Sequence, residues 1–155
     1  MISFERVLYL TKLPVEPGFV NDLVNLKKIR LEKLDICRLE KVIGWGLINL
    51  SAMPLKKLNL PASITKSEYM AYLNSLPLEE LLIDKMLLDS DLAQIRNLKL
   101  YHLKFRPNLI SDVGLSYLSR MKLQSLDLRY SEKISEIGLK HLKKLPLKSL
   151  FLPKQ

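Results

Sequence analysis

The chain has 155 residues, 48% of them hydrophobic, and carries 25 Lys and Arg against 16 Asp and Glu, a net charge of +9. The single cysteine, Cys37, excludes an internal disulfide framework and suits a reducing compartment. No apolar run reaches the roughly 18 residues of a membrane span, and the charged opening Met1-Ile2-Ser3-Phe4-Glu5-Arg6 does not fit an export signal, so the sequence predicts a cytoplasmic protein or one delivered into a host cytosol.

In chain order, the first element is a partial copy of a recurring phrase. Ile2, Phe4, Val7 and Tyr9 read as a strand from about Phe4 to Tyr9, with Arg6, Leu8 and Leu10 on its solvent-facing side. Full copies follow. The first joins Asp22, Leu23, Leu26 and Ile29 to Leu31, Leu34 and Ile36; the second joins Gly46, Leu47, Leu50 and Met53 to Leu55, Leu58 and Leu60. The third runs Tyr69, Met70, Leu73, Leu76, Leu78, Leu81, Ile83, and the fourth Asp91, Leu92, Ile95, Leu98, Leu100, Leu103, Phe105. Gly114-Leu115 to Leu128 and Gly138-Leu139 to Leu152 complete the series.

The L-x-x-L-x-L segments begin at 31, 55, 78, 100, 123 and 147, a period of 22 to 24. The first half of each copy has 3.6-residue spacing and predicts a short amphipathic helix. The second half alternates with period 2 and predicts a strand with its leucines inward. Pro54, Pro77 and Pro146 stop the helices and are expected at the strands' first positions. Thr65-x-x-Glu68 has the form of a capping box, and Ser111 and Ser135, each followed by an acid (Asp112, Glu136), are expected N-caps. One such unit cannot bury its apolar side alone, so copies must stack. The expected product is a single domain over 1–155: a right-handed α/β solenoid with a parallel sheet on the concave side and short helices on the convex side.

Phrase and period together resemble the leucine-rich repeat superfamily. The stretch Leu126-Asp127-Leu128-Arg129-Tyr130-Ser131-Glu132-Lys133-Ile134-Ser135-Glu136-Ile137-Gly138-Leu139 is similar to its cysteine-containing type, found in substrate-binding halves of F-box proteins and in bacterial arrays. Ser131 stands where that type has cysteine, and Leu39, Ser63, Met86 and Asn108 stand there in the other copies. The Leu-Pro-Leu joints look more like bacterial arrays, and the roughly 20 residues before the first full copy leave no room for an F-box. The resemblance implies a horseshoe that binds proteins, as a bacterial effector or adaptor.

Charge is uneven: residues 1–99 hold 14 Lys and Arg against 12 acids, residues 100–155 hold 11 against 4. Arg120, Lys122, Lys140, Lys143 and Lys144 are expected on the convex helices and turns, where such residues chiefly keep a repeat array soluble. Strand alternation writes out the concave face. One column reads Arg6, Lys33, Lys57, Glu80, His102, Ser125, Ser149; the next Leu8, Asp35, Asn59, Leu82, Lys104, Asp127, Phe151; a third Leu10, Cys37, Pro61, Asp84, Arg106, Arg129, Pro153.

No catalytic constellation emerges from this map. Cys37 and His102 lie three strands apart, about 14 Å at one strand spacing per step, beyond nucleophile–base reach. His141 falls on a helix, there is no Cys/His cluster with metal-ligand spacing, and the five glycines form no phosphate loop. Gly46, Gly114 and Gly138 share a repeat position and are expected to serve helix packing. The chain is therefore read as a non-enzyme without cofactor or metal.

The expected partner-binding patch is Tyr101, His102, Lys104, Arg106, Gln124, Asp127, Arg129 and Phe151, with Leu82 near one end. Tyr and Arg are the residue types that most often dominate interfaces. A self-satisfied ladder, Asp84 with Arg106 and Lys104 with Asp127, is the alternative. Arg129 has no acidic column neighbour and is the leading anchor. The expected partner is a protein with an acidic surface. The alternatives are polyanion binding by the basic C-terminal third, against which the helix positions of Trp45, Tyr69, Tyr72 and Tyr117 count, and a specificity module of a larger ligase-type protein. Weak self-association through uncapped ends is also expected.

Overall fold

The computed structural model describes residues 6–9, 23–39, 42, 44–64, 66–105 and 109–153. Seven strands form one open parallel sheet: β1 (Val7–Tyr9), β2 (Lys33–Asp35), β3 (Lys57–Leu60), β4 (Glu80–Ile83), β5 (His102–Phe105), β6 (Ser125–Asp127) and β7 (Ser149–Phe151). Their order in space is their order in sequence, β1 to β7. Between successive strands from β2 on lie 3-10 helices Gly44–Leu50 and Ser67–Ser75, then α1 (Asp89–Ile95), α2 (Asp112–Leu118) and α3 (Glu136–Lys140). A further 3-10 helix, Leu23–Lys28, precedes β2, and each helical segment packs on the next one along the chain.

Alternation puts the central leucine of β2 to β6 into the core, joined in β3 and β4 by Leu60 and Ile83. Leu34, Leu58, Leu81, Leu103 and Leu126 are at most 1% exposed, and the register runs them directly beside one another. They join Leu47, Leu50, Met70, Leu73, Leu92, Ile95, Leu115 and Leu118 of the helical segments in one buried cluster. Residues to either side of the central leucine are half-buried or exposed, so the sheet has one covered face and one open face. Burial of this leucine frame is the main favourable term holding the units together.

Serine side chains cap the last two helices. Ser111 and Ser135 accept hydrogen bonds from the backbone N–H of Val113 and Ile137, as their spacing predicts. Leu23–Lys28 and Gly44–Leu50 have no acid in their first turn and remain 3-10. The helix after the expected capping box begins at Ser67 with Lys66 at its N-cap and no side-chain cap bond; Thr65 lies outside the described residues.

The later units are also stitched to each other. Asp89 accepts from both the backbone N–H (2.9 Å) and hydroxyl (2.6 Å) of Ser111, and Asp112 does the same for Ser135 at 2.8 and 2.6 Å. Glycine is required where these acids reach across. A Cβ on Gly114 would come within 2.2 Å of the Asp89 carboxylate, and one on Gly138 within 2.1 Å of that of Asp112.

Two expectations shift. Pro54, Pro77 and Pro146 each stand three residues before β3, β4 and β7, in the connection and not at the strand's first position. In β1 the register is displaced by one: Val7, Leu8 and Tyr9 pair with Lys33, Leu34 and Asp35. Leu8 therefore packs against the core and Tyr9 is 70% exposed, so neither Arg6 nor Leu8 occupies the open-face position read from the sequence. A slip of one residue exchanges the two faces of a strand. Leu10 lies outside the described residues. Among the described residues no helix is long and apolar enough to cross a membrane.

Candidate functional site

The open face is a set of parallel columns about 4.8 Å apart, one strand spacing. The column through the first residue of each strand holds Lys57, Glu80, His102, Ser125 and Ser149 in register. It is bonded in pairs. Lys57 Nζ meets Glu80 at 2.9 Å, and the Ser149 hydroxyl donates to that of Ser125 at 2.8 Å. The Lys57 hydrogen bond holds the Glu80 carboxyl below its ordinary pKa against the opposing effect of burial. His102 stands between these two pairs, half-buried.

The next column carries Asp35, Asn59, Leu82 and Lys104 on β2 to β5, then Asp127 and Phe151 on β6 and β7. At its N-terminal end Asn59 donates to Asp35 at 2.6 Å, and the backbone N–H of Cys37 donates to the same carboxylate at 3.0 Å. Burial alone would raise the Asp35 pKa; hydrogen bonds from Cys37 and Asn59 outweigh it and leave the carboxyl below its ordinary value.

At the C-terminal end a second Asp-x-X turn repeats this geometry. The Arg129 backbone N–H donates to Asp127 Oδ1 at 3.1 Å, and its guanidinium grips the same carboxylate through Nε (3.0 and 3.2 Å) and Nη2 (2.6 Å). The guanidinium lies over the Phe151 ring, 5.4 Å from its centroid. The Arg129 hydrogen bond draws Asp127 below the ordinary carboxylate range, and the same bond raises Arg129.

The expected patch is thus assembled in part. Lys104, Asp127 and Phe151 share one column, Arg129 folds onto the last two, and His102 is one column away. Tyr101 and Gln124 stand elsewhere, in the row immediately before β5 and β6. There they join the backbone ladder, Tyr101 N–H to Glu79 O at 2.8 Å and Gln124 N–H to Tyr101 O at 2.9 Å. Their row reads Glu32, Lys56, Glu79, Tyr101, Gln124, Lys148 and forms a rim of the face, with both candidates half-buried. Arg106 lies outside the described residues.

The alternative pairing of Lys104 with Asp127 does not form. Asp127 gives its carboxylate to Arg129 on its own strand's exit turn, and Arg129 is therefore not without an acidic partner. Column reading cannot see this, because it compares strands and the bond runs along one. The signal was present: Asp two residues before a chain turn accepts the i+2 amide, at Asp35 and at Asp127 alike.

Cys37 is set up to be unreactive. Burial, the Asp35 hydrogen bond and the charges of Asp35 and Asp84 push its thiol up to about 11. At pH 8 its alkylation by iodoacetamide should be roughly 100-fold slower than that of an unperturbed thiol, since only the thiolate reacts. Asp35→Asn should accelerate it, as should urea. Equal rates for the folded and the urea-unfolded chain would show that this environment does not form. β3 and β4 separate the strand of Cys37 from that of His102. Among the described residues no group of three or more His, Cys, Asp or Glu could hold a metal ion.

No family model matches the chain, and no curated protein or solved structure is significantly similar to it.

Proposed function

We propose that this chain is a leucine-rich repeat solenoid of the cysteine-containing type, a non-catalytic scaffold that binds a protein partner on the open, concave face of its sheet. The reading rests on the repeated L-x-x-L-x-L phrase, and the one-covered, one-open sheet is what such a scaffold requires. The leucines form a frame, and the residues between them are free to vary without disturbing it. The observation that carries the site is the cluster at β5 to β7. A cation (Lys104) and a 47% exposed aromatic (Phe151) stand on strands, with a clamped arginine (Arg129) on the turn that leaves β6. Arginine and aromatic side chains on a rigid support supply interface energy at small entropic cost.

The partner surface proposed is acidic. Residues 100–155 carry the excess of Lys and Arg, which raises the encounter rate with such a surface. A cytosolic setting, as adaptor or delivered effector, suits the single cysteine and the reading as a whole.

Arg129→Ala and Tyr101→Ala test this reading on a partner captured from cytosol and then purified. Each should leave the unfolding midpoint unchanged. Arg129→Ala should weaken binding by about 2 kcal/mol, with a smaller loss for the rim residue Tyr101. Lys140→Ala and Lys143→Ala, on the helical side, serve as controls and should change little. A partner lost on the lysine substitutions and retained on the other two would move the site to the helices.

A further inference from the structure

The clamp at Arg129 is more specific than a positive patch. An exposed arginine samples many rotamers and loses that freedom when bound, a cost of up to about 2 kcal/mol. Here the guanidinium is fixed beforehand. Its Nε and Nη2 are committed to Asp127, its central carbon lies over the Phe151 ring 5.4 Å from the centroid, and its backbone N–H closes the turn on the same carboxylate. Nη1 makes no hydrogen bond among the described residues, and the side chain is more than half exposed, so its two donors are left for a ligand. Lys104, one strand away in the Asp127 column, has no ion-pair partner among the described residues.

Resting on the open-face reading, we propose that Arg129 is a preorganised anchor for a carboxylate side chain of the partner, and that Asp127 is a positioning residue that holds this anchor without being touched. The proposed ligand chemistry is an Asp or Glu of a protein segment, accepted by Nη1 of Arg129 with Lys104 as the neighbouring cation, and an adjoining apolar residue against the exposed part of Phe151. Guanidinium geometry favours a carboxylate in this role, and a point charge does not replace it.

The proposal makes a prediction opposite in sign to simple electrostatics. Asp127 is an anion beside a site for anions, so removing its charge should tighten binding if only net charge matters. If positioning dominates, Asp127→Asn loosens the guanidinium and weakens binding, mainly through faster dissociation.

The test uses the full chain as bait for a displayed library of random twelve-residue peptides, with Arg129→Ala as the counter-selection bait. Enriched peptides should contain Asp or Glu. Their affinity should fall about 30-fold on Arg129→Ala, a typical anchor loss, without recovery in Arg129→Lys. Asp127→Asn should cost about 10-fold through the dissociation rate, as expected for lost preorganisation. In parallel, 15N relaxation should find the Arg129 Nε–H as ordered as the backbone in the parent and mobile in Asp127→Asn, a readout that needs no ligand.

An Arg129 side chain as mobile as those of Arg96 and Arg120 in the parent overturns the proposal, as does Asp127→Asn binding equally or more tightly. Peptides that depend on Leu82 and Lys104 but not on Arg129 overturn it while leaving the open-face reading intact. A library yielding no peptide sensitive to any of these three residues removes both.

Discussion

Leu126→Asp should abolish the cooperative unfolding transition, leaving a chain without fixed strands at neutral pH. Leu126 is fully buried at the centre of β6, directly between Leu103 of β5 and Leu150 of β7. Removing a buried leucine side chain alone costs about 2–5 kcal/mol. A carboxylate at that point adds the larger penalty of an unpaired charge in the apolar core, and both must be set against a total stability of about 5–15 kcal/mol. The sharper form of the test compares it with Leu150→Asp. Leu150 occupies the same column on the edge strand and is 38% exposed, so its carboxylate can reach water. Circular dichroism with urea titration should find Leu150→Asp folded with a modest loss and Leu126→Asp unfolded. Equal stability of the two variants would remove the leucine column from its central place in the core.

The core was legible because leucine spacing encodes it twice. Period 3.6 marked the helical half of each unit, although the first three such segments are 3-10 and only the last three α. Period 2 gave the strand, and from β2 onward each strand begins two residues after its L-x-x-L-x-L segment opens. The same pattern failed at β1 for a physical reason. Ile2, Phe4, Val7 and Tyr9 contain both odd and even steps, so apolar character alone left two registers open, and pairing with β2 selects the one that buries Leu8. Prolines misled by a small margin. They mark where a helix cannot continue, but the first ladder bonds are made two residues later, by the N–H groups of Lys56, Glu79 and Lys148, and the strands begin one residue after that.

The site was legible in composition and not in pairing. Columns placed Lys104, Asp127 and Phe151 together; the register pairs Asp127 with Phe151 and brings Lys104 level with Asp127 one residue beyond the last β5–β6 pair. They could not say that Asp127 turns along its own strand to Arg129, because that choice depends on a turn and a stacked ring, both set by backbone geometry at the strand's exit. Tyr101 was drawn to the face by its residue type, while its position one residue before the strand sets it on the rim. The acid ladder on the helical side was half visible. Ser111 and Ser135 were readable as caps, but that Asp89 and Asp112 bind the next unit's serine needs the stacking of units in space.

Asp91→Ala should be the most damaging single change on the helical side, costing about 3–5 kcal/mol, the loss expected when one partner of a buried ion pair is left alone. Asp91 is fully buried and Lys85 only 8% exposed, with Nζ 2.7 Å from Oδ1. Oδ2 meanwhile accepts the backbone N–H of Leu88 at 2.9 Å, at the start of α1. By repeat register Asp91 occupies the place of Gly114 and Gly138. It can do so because the unit before it has Ser67 where the later units have Asp89 and Asp112, so no carboxylate crowds the position. Ser67 instead bonds the Ser90 hydroxyl at 2.8 Å. The charge is then a local substitute for the glycine, and its value depends on Lys85. Lys85→Met alone should cost a similar amount, by stranding the carboxylate. Lys85→Met with Asp91→Asn keeps an acceptor for Leu88 N–H while removing both charges, and should restore stability to within about 1 kcal/mol of the parent, since replacing a whole buried pair is often neutral. Urea midpoints of the parent, Lys85→Met, Asp91→Asn and the double variant close the double-mutant cycle. Additive losses in the double variant would show that the two side chains do not act as a pair.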